Sequence, residues 1–224
     1  MRQEESMTTA GLADESPPPR RRRLTAEARE QQLLDVAETL FAERGLEGVT
    51  MEDIARAAGV TRPIVYQHHG SRDGIFLACV SRARTEFEAV LRQRIDTAPD
   101  DLAAKIEAGG APYFELIKRD PRRWSLLYTT SASMEGQVAE ALQAMRARTI
   151  AQIAAIAREF APHMPAESLN AFAYAVSGIG EQLGRWWLRN PRVSKTKVLN
   201  HYRTFVQAIA VAMLADHQPP KAPQ

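Results

Sequence analysis

Residues 50–69 place the strongest local constraint on this chain, because they contain two short helix-forming segments separated by a glycine. Ile54 and Ala55 lie on one face of the first segment, and Val65 is the apolar residue of the second. The small side chain of Ala55 allows the second helix to cross the first closely. Gly59, at the bend, can adopt the positive φ that reverses the chain at little steric cost. The spacing therefore predicts a helix-turn-helix.

A helix precedes this motif and a long helix follows it. Between Thr25 and Arg44 the apolar residues recur at steps of three and four, which is the period of an amphipathic helix. These residues are Leu33, Val36, Ala37, Leu40 and Phe41. Gly45 is expected to end the first helix, and Ser71 is expected to cap the long one. The apolar stripe of the long helix consists of Ile75, Phe76, Cys79, Phe87 and Leu91.

Capping residues define the starts of the two motif helices. Thr50 and Asp53 have the spacing of a capping box, in which each side chain bonds the backbone N–H of the other residue. Thr61 is expected to cap the second helix, and Pro63 lies in its first turn, where a missing N–H does no harm. Together with the preceding helix, these segments predict a three-helix domain over residues 24–70.

The remaining sequence is also helical, so we predict an all-α fold in which residues 71–216 form a larger helical domain. Further segments show helical periodicity or residues typical of helix ends. They run from Asp101 to Lys118, from Pro121 through Tyr128, from about Glu135 to Phe160, from Pro165 to near Asn190, and from about Ser194 to Ala215. Hydrophobic residues make up 45 % of the chain, enough to fill a core of this size.

The termini and the composition limit the class of protein. Residues 1–23 offer little to bury, so we expect a disordered arm, and residues 217–224 are expected to form a flexible tail. The formal net charge is only +2, so binding to a polyanion requires locally placed Arg and Lys. With a single cysteine, Cys79, no internal disulfide can form. The chain has no apolar run of about 20 residues and no signal-peptide core, which predicts a cytoplasmic protein without a membrane partner.

Four consecutive arginines, Arg20, Arg21, Arg22 and Arg23, end the N-terminal arm. Two interpretations remain open from the sequence. The arginines can be a solvated flank of the first helix, or they can reach DNA phosphates or the minor groove. Their position directly before the helix-turn-helix favours the second interpretation.

The second helix of the motif is the segment that a helix-turn-helix presents to the major groove of double-stranded DNA. Val65 faces inward, and the outward positions are Arg62, Pro63, Ile64, Tyr66, Gln67 and His68. Arg62 is the strongest candidate for a base contact, because a guanidinium matches the O6 and N7 acceptors of guanine. Gln67 can read adenine or simply be solvated, and Ile64 can meet a thymine methyl group.

Residues at the starts of helices are expected to contact the DNA backbone. Thr50 and Thr61 offer hydroxyl groups and neighbouring backbone amides to phosphate oxygens. Arg72 adds a positive charge at the start of the long helix. These contacts would orient the protein, and the contacts to bases would supply the choice of sequence.

At these positions the chain resembles the tetracycline-repressor (TetR) family of transcriptional regulators. The resemblance is carried by Gly45 to Thr50, Ile54-Ala55, Ala58 to Thr61, Val65 to His68 and Ser71 to Asp73, all in one register. It implies an N-terminal DNA-binding domain followed by a larger helical domain that binds small molecules and forms dimers. Tyr66 resembles the family's DNA-facing tyrosine, and burial against the first motif helix is the alternative.

Two residues depart from the family pattern. His69 stands where an aromatic residue is usual, one turn after Val65 on the side that faces the core. We interpret it as a packed, neutral histidine or a partly exposed edge residue, with a pH-responsive or metal-binding role as the alternative. His68 and His69 point to different faces, which argues against a two-histidine metal site. Arg72 stands where lysine is common, and its guanidinium can contact a phosphate as a fork.

The larger domain contains a glycine-rich stretch at residues 171–187. Gly178, Gly180 and Gly184 lack the spacing of a phosphate-binding loop, so close helix packing is the favoured interpretation. This helix and the last one resemble the pair that builds the family's dimeric four-helix bundle. Trp187 is either an anchor of that interface or an ordinary core residue.

A ligand pocket in this domain would be lined by apolar and aromatic side chains with a few polar groups. The candidates are Phe114, Trp124, Tyr128, Met145, Phe172 and Trp186. Each of them can instead be an ordinary core residue. The expected ligand is a small apolar or amphipathic effector.

The sequence hypothesis is a repressor that binds an inverted-repeat operator as a homodimer and is released by the effector. The alternative is a regulator or activator that is controlled by a protein partner without a small ligand. An enzyme is disfavoured because the 5 histidines lack metal-ligand spacing and no Gly-x-Ser-x-Gly turn occurs. We therefore expect no catalytic residue, no metal and no cofactor.

Overall fold

The computed structural model describes residues 24–128 and 136–216, which form nine α-helices and no strand. The helices are α1 (Ala26–Arg44), α2 (Met51–Ala58), α3 (Arg62–His69), α4 (Arg72–Thr97), α5 (Leu102–Arg119), α6 (Pro121–Tyr128), α7 (Gly136–Phe160), α8 (Ala166–Arg189) and α9 (Lys195–Asp216). The predicted all-α fold is confirmed. Within these ranges no helix is long and apolar enough to span a bilayer.

Several predicted features lie outside the described residues. They are the arm at residues 1–23 with Arg20, Arg21, Arg22 and Arg23, the tail at residues 217–224, and the helix start near Glu135.

The first three helices and the start of α4 share one apolar core. Thr25 caps α1 by accepting a hydrogen bond from the backbone N–H of Ala28 at 3.2 Å. Ile54 and Val65 are fully buried, as is Phe41, whose ring meets Phe76 of α4 edge to face with 5.2 Å between centroids. Burying each such side chain contributes about 1.5–3 kcal/mol. The core therefore fixes α3 against α1, α2 and α4.

Helix α4 belongs to both parts of the molecule. It contacts α1 and α3 near its start, and it also packs against α5, α6 and α7. The predicted division into a domain of residues 24–70 and a domain of residues 71–216 stays a prediction, since the same continuous helix serves both.

An ion-pair cluster joins α1, α4 and α6, and nothing in the sequence pattern predicts it. Glu38 of α1 accepts from Arg82 of α4 at 2.7 Å and from Arg123 of α6 at 2.6 Å. Arg82 also pairs with Asp35 at 2.6 Å, and Arg123 pairs with Glu86. The Glu38 side chain is largely buried between the two arginines.

The glycines of α8 permit close packing within the protomer. A Cβ at Gly184 would lie 2.8 Å from Ile117 Cδ1 and 2.9 Å from Trp124 Cζ2, and one at Gly180 would contact Tyr113 at 3.8 Å. Gly178 instead faces open space. Within the protomer, close packing therefore requires glycine at position 184, whereas Gly180 makes only an ordinary contact and Gly178 makes none.

Trp187 is a core residue of the protomer. Its side chain is buried, its ring lies 6.1 Å from that of Phe114, and its Nε1 donates to the carbonyl oxygen of Val193 at 2.7 Å. Buried tryptophans usually find such an acceptor. The interface-anchor alternative is therefore not favoured by this arrangement.

Candidate DNA interface and effector cavity

The turn of the helix-turn-helix is built as the sequence predicts. Thr50 accepts from the backbone N–H of Asp53 at 3.1 Å, and the Asp53 carboxylate accepts from the backbone N–H of Thr50 at 3.1 Å. The Thr50 hydroxyl also donates to the Asp53 carboxylate, and this hydrogen bond, followed by the one from the Thr50 backbone N–H, holds the pKa of Asp53 below its ordinary value. Gly59 adopts the left-handed conformation with φ 64° and ψ 37°, and the following N–H bonds back to Ala55. Both ends of α2 are thus fixed by local contacts.

The predicted cap of α3 by the Thr61 side chain is wrong. Thr61 occupies the capping position with an extended backbone, but its hydroxyl makes no capping hydrogen bond. Pro63 removes one of the two backbone donors that a cap can use, and the other, Ile64 N–H, bonds the Thr61 carbonyl oxygen at 3.0 Å. The exposed Thr61 hydroxyl is therefore left without this local partner.

Arg62 and Tyr66 form a pair on the outward face of α3. The Arg62 Nη2 donates to the Tyr66 hydroxyl at 2.9 Å, and the guanidinium lies 5.2 Å from the ring centroid. Tyr66 is 39 % exposed, so it is not buried against α2. The remaining outward side chains are Pro63 and Gln67, which are exposed, and Ile64 and His68, which are half-buried. All six predicted outward residues thus keep part of their side chain exposed, and their contact with DNA stays a prediction.

The two other predicted phosphate contacts have partners within the protein. The Thr50 hydroxyl also donates to Asp53 Oδ2 at 2.6 Å. Arg72 forms a fork with Glu47, at 3.2 Å and 3.3 Å, and the Glu47 side chain is 85 % exposed. Such exposed pairs contribute about 0–1 kcal/mol, so a phosphate can displace Glu47 at little cost.

His69 lies half-buried at the end of α3. Its Nε2 has no hydrogen-bond partner, and burial lowers the pKa of His69 below its ordinary value. This environment keeps the ring neutral at neutral pH. Across residues 24–128 and 136–216, no group of three or more His, Cys, Asp or Glu side chains could hold a metal ion.

The larger part of the molecule contains an apolar cavity of about 170 Å³ that is partly open to solvent. Its walls come from α4, α5, α7, α8 and α9, with Tyr128 contributed by α6. Two predicted ligand residues, Tyr128 and Phe172, line it. The other four do not: Phe114, Trp124, Met145 and Trp186 lie outside the lining. Phe114 and Trp124 are fully buried core residues, which share the apolar periodicity of true lining residues.

Arg84 is a cavity-lining residue that the sequence analysis missed. It is only 8 % exposed, and its Nη1 and Nη2 donate to Thr149 Oγ1 at 2.9 Å and to the Leu127 carbonyl oxygen at 3.1 Å. Burial lowers the pKa of the Arg84 guanidinium below its ordinary value. A signal was present, because position 84 lies four residues after Val80 and seven before Leu91, in phase with the apolar stripe of α4.

Comparison with known proteins agrees with this architecture. The sequence pattern described as bacterial regulatory proteins, tetR family, matches residues 33–79, which include α2 and α3. The transcriptional activator FasR of Mycolicibacterium smegmatis is 31 % identical over 174 residues, covering 76 % of this chain and 77 % of FasR.

Two solved structures share the fold. A transcriptional regulator from Pseudomonas aeruginosa PAO1 has a TM-score of 0.72 at 18 % identity, covering 88 % of this chain and 97 % of that one. AibR in complex with isovaleryl coenzyme A and operator DNA has a TM-score of 0.62 at 16 % identity, covering 79 % of this chain and 97 % of AibR. These relatives are regulators, which confirms the prediction that the chain is not an enzyme. With FasR matched over three quarters of both proteins, the chain belongs to the TetR family of DNA-binding transcriptional regulators.

Proposed function

We propose that the protein binds an inverted-repeat operator as a homodimer and that a small amphipathic effector in the cavity lowers its affinity for that operator. One observation carries this proposal. Helix α4 begins beside the recognition helix α3, and twelve residues after Arg72 the same helix contributes Arg84 to the cavity wall. A ligand that favours one position of α4 therefore changes the position of the DNA-reading surface.

On DNA, we assign base reading to α3 and backbone contacts to the helix starts around it. Arg62 would read a guanine, and the Tyr66 hydroxyl, which accepts from the Arg62 Nη2 at 2.9 Å, would hold the guanidinium in place. Thr61 is available for a phosphate because its hydroxyl is not used as a cap. Arg72 would exchange the exposed Glu47 for a phosphate oxygen.

The outer face of α8 and α9 is the proposed dimer interface. Tyr174 is 57 % exposed and Phe205 46 % exposed, and both are large apolar side chains at a protomer surface. Gly178 lies one turn from Tyr174 and faces open space, so another helix can approach closely there. An exposed apolar patch of this kind is typical of an association surface. A symmetric dimer would present two copies of α3 to successive turns of DNA.

Repression is the proposed direction of regulation, and activation is the alternative, since FasR is named as an activator. The fold neighbour AibR was solved with isovaleryl coenzyme A and operator DNA, which supports control of DNA binding by a small ligand. Control by a protein partner alone would leave the cavity without a ligand. A panel of metabolites that produces no shift in thermal stability would favour that alternative.

The test begins with selection of genomic fragments by the purified protein near physiological salt. We expect recovery of one short inverted repeat, bound by two protomers. Recovery of unrelated fragments that dissociate at moderate salt would show phosphate binding only and would contradict the proposal.

Substitution of Arg62 then tests base reading. On the selected operator, Arg62→Ala is expected to cost about 1–3 kcal/mol and to relax the preference at one symmetric position, whereas Arg72→Ala should weaken all sequences alike. Arg94→Ala is the matched control, because Arg94 is an exposed arginine near the far end of α4. An equal loss on operator and random DNA for Arg62→Ala would remove Arg62 from base reading.

A further inference from the structure

We propose that the cavity binds an amphipathic ligand with an anionic carboxylate head, held by the Arg84 guanidinium, and a short aliphatic tail that fills the apolar chamber. This inference rests on the proposed function, since it names the chemistry of the effector. It concerns binding to the protein alone and can be tested without DNA.

The hydrogen-bond partners of Arg84 bring no negative charge into direct contact with it. Both acceptors, the Thr149 hydroxyl and the Leu127 carbonyl oxygen, are neutral. Its Nε is buried and has no hydrogen-bond partner, and in the described part of the chain it forms no ion pair with a carboxylate. A buried charge of this kind is costly unless an opposite charge approaches it. The free donor therefore indicates a missing anionic partner.

A neighbouring carboxylate, that of Glu88, is already engaged with another group. The Thr149 hydroxyl, which accepts from Arg84, also donates to Glu88 Oε1 at 2.5 Å. Glu88 thus reaches Arg84 through Thr149 and does not occupy the Nε. A ligand carboxylate at Nε can add to this chain of hydrogen bonds without displacing Glu88.

The charged residues that line the cavity are also cationic, which favours an anionic ligand. The described lining residues include three cations, Arg84, Lys105 and Arg146, and no carboxylate. Arg146 is paired with Glu181 at 2.5 Å, just outside the lining. Lys105 donates to the Ile95 carbonyl oxygen at 2.9 Å and is only partly buried. Arg84 is the more deeply buried of the two cations that lack a carboxylate partner, so we assign the head of the ligand to it.

Tyr128 lies between Arg84 and a second aromatic residue of the cavity wall, Tyr113. Tyr113 lines the cavity, but its hydroxyl points to Gly184, where it would lie 3.3 Å from an added Cβ, and Gly184 does not line the cavity. Tyr128 contacts both groups: its ring centroid lies 5.8 Å from the Arg84 guanidinium carbon and 5.2 Å from the Tyr113 ring centroid.

The rest of the chamber fits a hydrocarbon. Its walls are made by apolar side chains such as Ile153, Ile156, Phe160, Phe172 and Met213. The cavity volume of about 170 Å³ slightly exceeds the roughly 150 Å³ that is known to admit benzene in a protein core. A tail of about six to eight carbons is therefore the expected size.

The experiment is calorimetric titration of the full-length protein, without DNA, with octanoate, octanamide and 1-octanol at pH 7. We expect octanoate to bind at least tenfold more tightly than either neutral probe. Arg84→Met should abolish that preference while 1-octanol still binds, which shows that the chamber is intact. Arg84→Lys, which keeps the charge but loses the fork, should give an intermediate preference and serves if Arg84→Met fails to fold.

The matched control is Arg92→Met, on the same helix but exposed and paired with Asp96 and Glu159 outside the cavity. It should bind octanoate as the wild type does. Equal affinity of the wild type for octanoate and 1-octanol, or no binding of any probe at millimolar concentration, would overturn the proposal. So would a loss of octanoate binding in Lys105→Met but not in Arg84→Met.

A further arm uses octanoyl-coenzyme A, whose acyl end carries no charge. If this thioester binds more tightly than octanoate and Arg84→Met leaves its affinity unchanged, the head assignment is overturned. Failure of this inference and failure of the proposed function give different results. Octanoate that binds through Arg84 without changing operator affinity would refute effector release and leave this inference standing.

Discussion

Two adjacent glycines of α5 should respond in opposite ways to the same substitution. A Cβ at Gly110 would lie 2.5 Å and 2.6 Å from the ring atoms Cδ1 and Cε1 of Tyr202 in α9. A Cβ at Gly109 would meet only Ile95 Cδ1, at an ordinary 3.9 Å. Neither glycine has a positive φ, so alanine fits the backbone at both positions. A Cβ at Gly110 would also lie 3.1 Å from Leu199 Cδ1, so the contrast between the two variants isolates the packing of α5 against α9.

The magnitudes follow from helix propensity and from overpacking. Within a helix alanine is more stable than glycine by about 1 kcal/mol, so Gly109→Ala should raise the free energy of unfolding by about that amount. Gly110→Ala gains the same term but must move Tyr202, which is buried and packed against Phe114 with 5.7 Å between centroids. Overpacking of a rigid ring costs about 3 kcal/mol at the upper end of its range, which leaves a net loss of about 2 kcal/mol.

Urea unfolding followed by far-UV circular dichroism measures both changes. All variants are compared at one protomer concentration, because the stability of an oligomer depends on concentration. In thermal unfolding followed by the same signal, the melting temperature should fall by about 4–8 °C for Gly110→Ala and rise by about 2–4 °C for Gly109→Ala. A Gly110→Ala protein as stable as the wild type, or two variants that shift in the same direction, would refute the assigned contact between α5 and α9.

Two further predictions concern titratable groups of the helix-turn-helix. Since burial lowers the pKa of His69 in the folded state, protonation favours the unfolded chain, and stability should decline as pH falls below about 6.5. His69→Phe should flatten that decline in urea midpoints measured from pH 7.5 to 5, and parallel curves for the two proteins would contradict this. Thr50→Ala should cost about 1 kcal/mol and raise the pKa of Asp53 towards its ordinary value, while Thr50→Ser should do neither. Because the folded pKa of Asp53 is depressed, its contribution is present above about pH 4 and lost on acidification; an NMR titration of its carboxyl group that is unchanged in Thr50→Ala would refute the role of the cap.

The helix-turn-helix was predictable because its geometry is specified locally. Gly59 requires a left-handed backbone, and the capping box of Thr50 and Asp53 involves residues three apart, so no distant contact decides either. The error at Thr61 came from applying the same rule where Pro63 had removed a donor. Local rules succeed where every partner lies within one turn, and they fail when a neighbour changes the available groups.

The cavity was not predictable in the same way, because its lining depends on which helices meet. Phe172 and Phe114 occur in similar apolar patterns, yet Phe172 lines the cavity and Phe114 fills the core. Periodicity identifies the buried face of a helix. It does not tell whether that face packs against other side chains or borders a cavity. Arg84 was detectable, since a charged residue in phase with an apolar stripe requires a buried partner.

The ion pairs around Glu38 and the hydrogen bond from Arg84 together connect three helices, α1, α4 and α6. Arg82 and Arg84 lie two residues apart on α4; the first binds Glu38 of α1, and the second binds the carbonyl oxygen of Leu127 near the end of α6. Arg123, near the start of α6, returns to Glu38. The three helices therefore form a closed ring of polar contacts, so a tilt of α1 and α3 away from the rest of the protomer would have to break at least one of them. A carboxylate bound at Arg84 would therefore act next to the contact of this ring that ends on a neutral acceptor, the Leu127 carbonyl oxygen.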